Sequence, residues 1–258
     1  MPNNTSYSTV LVTGASSGFG EAIATRFAQA GKRLVLIARR KDRLDNVVKR
    51  LSQLTSCHAI SCDMRDHDEL KLAIDSLPND FRDIDVLVNN AGLALGLEPA
   101  QHTDWNDWEQ MIDTNCTALA YITHLLVPGM IERHRGHIIN IGSTAGYYAY
   151  KGGNVYCATK AFVEHFSKNL KSDLIGTPVR VTHIAPGLAG GSEFSLVRFK
   201  GDASKANDVY AGTEPLQPDT IAEAVLWAVN QPAHVNVCNI ELMPVCQALG
   251  GYTVHRQQ

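Results

Sequence analysis

The chain has 258 residues, 45% of them hydrophobic and 19% charged, which is the profile of a globular protein with room for a substantial core. A formal net charge of -3 gives no electrostatic reason to expect a nucleic-acid or anionic-membrane partner. The polar opening MPNNTSYST lacks the apolar core of a signal peptide and no apolar run approaches the roughly 20 residues that span a bilayer, so the expected location is the cytoplasm.

Short β-branched runs alternate with helical apolar spacing. In chain order the pattern predicts strand 10–13, helix 22–30, strand 33–38, helix 41–54, strand 58–63, helix 69–77 and strand 86–89. It continues with helix 108–133, strand 137–141, helix 155–174, strand 179–184, helix 219–230 and strand 235–242, with Gly31 and Gly176 as helix stops. Seven strands wound with six helices predict an α/β fold, a Rossmann-type doubly wound parallel sheet with helices on both faces. Nothing in the middle reads as a linker, so 1–258 is expected to be one catalytic domain with a polar tail at 1–8. Residues 188–216 break the rhythm, and a loop of that length is expected to serve as a lid.

The six cysteines, Cys57, Cys62, Cys116, Cys157, Cys238 and Cys246, show no CxxC pairs and read as reduced packing thiols. His134 and His137 flank a turn without a nearby carboxylate or thiol, so no metal site is expected.

Directly after the first strand comes Thr13-Gly14-Ala15-Ser16-Ser17-Gly18-Phe19-Gly20, opening onto a helix. Glycines at this turn let the chain bend sharply, bring backbone N–H groups to a phosphate and pack the helix start against the sheet. Their spacing departs from GxGxxG, and the position at the first strand-to-helix turn is what gives the match its weight. At the end of the second strand an acid would bond the free 2′-hydroxyl of NAD, but this strand runs into Arg39-Arg40. Cations are disfavoured at a helix start without a counter-charge, and the 2′-phosphate of NADP supplies one.

Tyr156 and Lys160, four apart in a helical segment, project from one face. A neighbouring ammonium favours the phenolate of a tyrosine whose free pKa is about 10, bringing it toward acid/base use. Ser143 ends a strand, so its hydroxyl emerges at the carboxyl edge of the sheet, where open α/β sheets hold ligands. Asn115 is a mediocre helix former inside a long helix and wants a reason.

These segments together resemble the short-chain dehydrogenase/reductase family, through TGASSGFG at 13–20, Asp63, NNAG at 89–92, Asn115, Ser143, YCATK at 156–160 and Pro186-Gly187. Within it the chain is most similar to the NADP-dependent 3-hydroxy acid dehydrogenases, which oxidise serine and L-allo-threonine and reduce malonic semialdehyde. That likeness rests on NNAGLALG at 89–96, NIGSTAG at 140–146, GGNVYCATKAFV at 152–163, GGSEFSLVRFKGD at 190–202 and VHRQ at 254–257.

The resemblance implies that Tyr156 exchanges the substrate proton, Ser143 bonds the reacting oxygen, Lys160 holds the nicotinamide ribose and Asn115 anchors a water. It implies NADP(H) contacts at Gly14, Ser16, Ser17, Gly18, Phe19, Gly20, Arg39 and Arg40, at Asp63 and Met64 beside the adenine, and at Asn90, Ala91 and Gly92. Further contacts are implied at Pro186, Gly187, Ala189, Ser192 and Phe194, with Ala189 standing where a β-branched residue is usual. It also implies a homotetramer, with the apolar run 235–249 and the helices at 108–133 and 155–174 as interfaces.

The expected substrate is a small 3-hydroxy acid whose carboxylate meets Arg198 of the lid, with Lys200 as the second candidate. In that arrangement Phe194, Val197 and Phe199 bury against the crevice while Arg198 points away from them. Two rival readings are a reductase of the same family acting on a 3-oxoacyl, sugar or steroid substrate, and a catalytically idle NADP sensor.

Overall fold

Every residue of Thr9–Thr13, Val86–Asn89 and Gly136–Ile141 is buried, a pattern that demands cover on both faces of a sheet. The structure, a computed structural model, describes residues 7–250. Its strands are β1 (Thr9–Thr13), β2 (Arg33–Ala38), β3 (Cys57–Ser61), β4 (Val86–Asn89), β5 (Gly136–Ile141), β6 (Val179–Pro186) and β7 (Asn239–Leu242). All pair in parallel, in the order β3-β2-β1-β4-β5-β6-β7. The winding reverses between β1 and β4, and there the carboxyl ends of the strands open a crevice.

The helices are α1 (Gly18–Gln29), α2 (Lys41–Leu51), α3 (His67–Asp75), α4 (Asn79–Arg82), α5 (Trp105–Ile112), α6 (Ala118–Glu132), α7 (Asn154–Asp173), α8 (Phe194–Arg198), α9 (Ala203–Asp208) and α10 (Pro218–Val229). Strand alternation divides the core into two layers. Val10 and Val12 of β1 pack with Ile23 and Phe27 of α1 and Ile221 and Val225 of α10. Leu11, between them, faces the opposite layer with Leu70 of α3 and Ile122 and Met130 of α6.

Several expected boundaries move, each for a local reason. Helix α1 starts at Gly18 instead of 22, because the glycine turn leads straight into it, and α2 stops at Leu51 instead of running to 54. Strand β3 covers Cys57–Ser61 instead of 58–63, since Asp63 turns the chain by accepting from Asp66 N through its carbonyl and from Arg65 N through its side chain. Asp66 then caps α3 two residues early by accepting from Glu69 N.

The helix expected at 108–133 begins at Trp105, capped by Asp104, and is interrupted by a π turn at Asp113–Thr117 before α6 continues it. Strand β7 is half the expected 235–242. The Asn236 side chain takes both Val181 N and Val181 O, at 2.8 Å each, where a ladder would have put backbone.

The segment at 188–216 carries α8 and α9 instead of being irregular throughout. Asp202 caps α9 by accepting from Lys205 N, and Gly190 N to Leu216 O with Leu216 N to Leu188 O closes the segment's base. Tyr7, expected in the polar tail, is buried and donates to Gly136 O. Of the cysteines only Cys62 is buried, and Cys238 and Cys246 are exposed. His137 lies in β5 as the expected strand 137–141 has it, buried and bonded to Thr182. Val245 and Leu249, within the apolar run 235–249, are exposed, and VHRQ at 254–257 lies outside the described residues. No helix among the described residues is long and apolar enough to cross a membrane.

Candidate active site

The crevice at the reversal point encloses about 810 Å³. Of the site residues expected from sequence, all but Gly20 and Asn115 line it. Gly20 acts from beneath: a Cβ there would strike Gly14 O and come 2.6 Å from Asn90 Nδ2. Gly14 has φ +66° and would bring a Cβ within 3.0 Å of Ala91 Cα, so both positions exclude side chains where two loops meet. Thr13 joins those loops. Its hydroxyl accepts from Asn90 N at 3.0 Å and Ala91 N at 2.9 Å and donates to Val88 O, while Asn90 Nδ2 donates to Thr13 O.

At the end of β2 the two arginines diverge. Arg39 lies 3.6 Å from Asp63, whose carboxyl is held down to about 2 chiefly by its bidentate bonds from Arg65. Arg40 reaches across the crevice mouth, donating to Ser17 Oγ at 3.0 Å and to Glu193 Oε2 at 2.7 Å. Arg43 donates to the same Glu193 oxygen at 2.5 Å.

Deeper in, Ser143 stands two residues past the end of β5, not at the strand end itself, and caps the short 3-10 turn that follows, accepting from Ala145 N and donating to Pro186 O. Tyr156 and Lys160 are both buried on one face of α7. Lys160 Nζ donates to Ile141 O at 2.9 Å and sits 6.0 Å from the centre of the Tyr156 ring. Burial pushes the tyrosine up to about 12 and the lysine down to about 8, while Arg198 and a hydrogen bond with Ser143 act against the tyrosine's rise.

Asn115 occupies the π turn with its side chain fully used. Its Oδ1 accepts from Leu93 N at 2.9 Å, and its Nδ2 donates to Leu93 O at 2.8 Å and Thr159 Oγ1 at 3.0 Å. Thr159 in turn donates to Tyr156 O at 2.8 Å. The amide therefore fixes the helix that carries the tyrosine, which is the reason its place in a helix called for.

The segment expected to serve as a lid differs from expectation. Arg198 does not turn away from its aromatic neighbours. Its guanidinium lies 5.0 Å from the Tyr156 ring centre and 5.1 Å from that of Phe194, and it donates to Tyr150 OH at 2.8 Å. Phe194 packs on Tyr156 at 5.8 Å, but Val197 is exposed and Phe199 is not among the lining residues. Lys200 is removed from the site by an ion pair with Asp107 at 2.8 Å.

Sequence reasoning gave no site role to Thr13, Arg43, Tyr150, Thr159 or Glu193. Thr13, Thr159 and Glu193 stand inside the motifs at 13–20, 156–160 and 190–202, whereas Arg43 and Tyr150 are marked only by partners distant in sequence, Glu193 and Arg198. Gln247 is a further case, its Oε1 accepting from Leu188 N at 2.6 Å at the lid's base.

This parallel sheet, with a glycine turn after β1 and a serine, tyrosine and lysine gathered at its carboxyl edge, defines a dinucleotide-binding oxidoreductase class. The short chain dehydrogenase family matches residues 8–195, and the chain belongs to that family. It is 55% identical over 247 residues to the NADP-dependent 3-hydroxy acid dehydrogenase of Salmonella typhi, covering 96% of this chain and 99% of that one. It is 46% identical over 249 residues to serine 3-dehydrogenase of Agrobacterium fabrum, covering 96% and 98%. Among solved structures it resembles the closed form of serine dehydrogenase complexed with NADP+, with a TM-score of 0.93 and 53% identity over 96% of this chain and all of that one.

Proposed function

We propose that the chain is an NADP-dependent oxidoreductase that moves a hydride between the nicotinamide and a small 3-hydroxy acid of the L-serine, L-allo-threonine or 3-hydroxypropionate class. The observation that carries this reading is the Arg198 guanidinium stacked over Tyr156, which puts a fixed cation beside the proposed acid/base group. An arginine fork matches a carboxylate, and a neutral alcohol would leave it unpaired. The named activities of the Salmonella and Agrobacterium relatives support the same class.

The crevice fits NADP(H). The glycine turn, where a Cβ would collide, suits a pyrophosphate, and the β2 end offers Arg39 and Arg40 with no acid in the strand itself. Ser16, Ser17, Gly18 and Phe19 would hold the diphosphate side, Asp63 and Met64 the adenine, and Asn90 to Gly92 the ribose between. Pro186, Gly187, Ala189, Ser192 and Phe194 would hold the nicotinamide end. When bound, NADP+ accepts the hydride and its cationic ring favours the phenolate.

Tyr156 takes the hydroxyl proton of the substrate in oxidation and returns it in reduction. Ser143 orients the reacting oxygen. Lys160 stabilises the phenolate and holds the ribose, while Asn115 keeps α7 in register and supports a proton path to solvent.

We further propose that 1–258 is one catalytic domain working in the cytoplasm as a homotetramer. The stacked Phe162–Phe166 pair on α7, with Phe162 exposed, and exposed Trp227 on α10 support association. A monomer in light scattering at micromolar concentration would exclude that assembly.

The test is steady-state kinetics with NADP+. Wild type should prefer L-serine or 3-hydroxypropionate to an uncharged secondary alcohol by kcat/KM, and Arg198→Ala should collapse that ratio while costing the neutral alcohol little. Tyr156→Phe should lose about 10²–10⁴-fold in turnover and keep NADPH binding. A wild type preferring the neutral alcohol overturns the substrate class, and a Phe variant within threefold of wild type overturns the acid/base assignment.

A further inference from the structure

Glu193 is an anion aimed at the place where a nucleotide phosphate is expected. Three cationic or polar groups surround it: Arg40, Arg43 and, through Arg40, Ser17 of the glycine turn. Arg40 is the N-cap of α2 and Arg43 lies in its first turn, where cations lack the helix dipole's support and require a counter-charge. The lid supplies it from 150 residues away.

Both terminal nitrogens of Arg40 are occupied, one by Glu193 and the other by Ser17. Each of those nitrogens keeps a second N–H, so a 2′-phosphate that takes the free donors comes to lie directly against both partners. Ser17 is a neutral acceptor that a phosphate tolerates as a neighbour, whereas the carboxylate and the phosphate repel. The two arginines hold the Glu193 carboxyl below the usual carboxylate range, so it remains an anion throughout the neutral region. Glu193 also immediately precedes Phe194, and α8 ends at Arg198, so the residue that meets the arginines leads directly into the helix lying on Tyr156.

We infer that Glu193 is an internal competitor for the NADP 2′-phosphate, occupying the Arg40–Arg43 subsite and releasing it, together with the amino end of α8, when the phosphate arrives. The inference rests on the NADP reading above and adds Arg43 to the phosphate ligands. Glu193 thereby sets how strongly the 2′-phosphate is preferred and ties the lid to the cofactor that is bound.

The probe is adenosine 2′,5′-bisphosphate against adenosine 5′-monophosphate, titrated calorimetrically into the full-length protein, so that neither turnover nor the nicotinamide enters the readout. Glu193→Gln should bind the bisphosphate about two- to fivefold more tightly, the size of an exposed ion-pair effect, and leave the monophosphate unchanged. Arg43→Ala should weaken the bisphosphate about tenfold or more, as loss of a charged hydrogen bond does. The opposite signs are decisive: if the pair merely fastened the lid, breaking it from either side would act alike.

In wild type the bisphosphate should speed tryptic cleavage after Arg198 or Lys200, and the monophosphate should not. Equal or same-direction effects of the two variants on bisphosphate affinity, or slower cleavage with bisphosphate, overturn the competitor role alone. A bisphosphate bound no more tightly than the monophosphate by both wild type and Glu193→Gln overturns the NADP reading and the proposal together.

Discussion

The guanidinium of Arg198 approaches the Tyr156 ring more closely than the ammonium of Lys160 does, at 5.0 Å against 6.0 Å from the ring centre. Arg198 is also the group that most opposes the burial-driven rise of the tyrosine's pKa. A cation beside a phenol stabilises the phenolate, so removing it raises the pKa. Oxidation needs the phenolate, and its kcat/KM climbs as pH passes the tyrosine's value. Arg198→Ala should therefore move that ascending limb to higher pH, and Arg198→Lys should move it less. An ascending limb identical in wild type and Arg198→Ala, measured with a neutral alcohol to separate substrate binding, would show that Arg198 does not tune Tyr156.

Lys160 is a burden on the fold. Burial lowers it from 10.5 to about 8, so in the native state its charged form is penalised. The sign follows from linkage. With the folded value depressed, the penalty is complete below about pH 8 and fades as pH rises toward the unfolded value of 10.5. Lys160→Met should accordingly lose nearly all turnover yet melt no lower than wild type at pH 7, with any advantage shrinking toward pH 10. The bond to Ile141 O that the methionine gives up offsets part of the gain. A melting temperature well below wild type at pH 7 would show that this bond outweighs the desolvation.

Local patterns reached most of the fold. Strands β2 and β4 matched the expected 33–38 and 86–89 at both ends, because their apolar runs stop at abrupt polar breaks. The π turn around Asn115 was hidden, since the apolar spacing of α5 and α6 carries straight through it. The shortened β7 turned on Asn236 standing in for backbone, which no propensity reports. In the site, the motif residues were legible because each lies at or just past a strand end or on a helix face. Glu193 with Arg40 and Tyr150 with Arg198 were not, as they meet across 153 and 48 positions and depend on how the lid lies over the sheet.

Thr13 offers a test of the crevice's floor. Its hydroxyl receives two backbone N–H groups, those of Asn90 and Ala91; Asn90 N also reaches Val88 O at 3.0 Å, so Ala91 N is the donor that relies on Thr13. Thr13→Val keeps the shape and removes the acceptor, at about 1–3 kcal/mol for the Ala91 donor left without a partner, since Asn90 N retains Val88 O. The expected outcome is a clear drop in melting temperature and a raised KM for NADP+ with kcat comparatively spared. Unaltered melting would mean that this donor finds another acceptor.

The cofactor preference can be reversed from the end of β2. Arg39 is half exposed and only 3.6 Å from Asp63, an ion pair loose enough to yield to a phosphate. Asp63 keeps Arg65 as its nearer partner at 2.7 Å, so it stays neutralised when Arg39 swings away. Arg39→Asp removes a phosphate ligand and sets a carboxylate at the strand end, where it repels the 2′-phosphate and can accept from a free 2′-hydroxyl. Loss of one charged hydrogen bond is worth about 1.5–3 kcal/mol, or roughly 10–150-fold. The variant's kcat/KM with NADP+ should fall by at least that factor, while that with NAD+ holds or rises. The two cofactors should be compared in the same buffer at fixed ionic strength, because salt weakens the phosphate contact selectively. Equal loss with both would show that Arg39 supports the strand end without reading the phosphate, and equal kcat/KM for the two in wild type would remove the NADP preference itself.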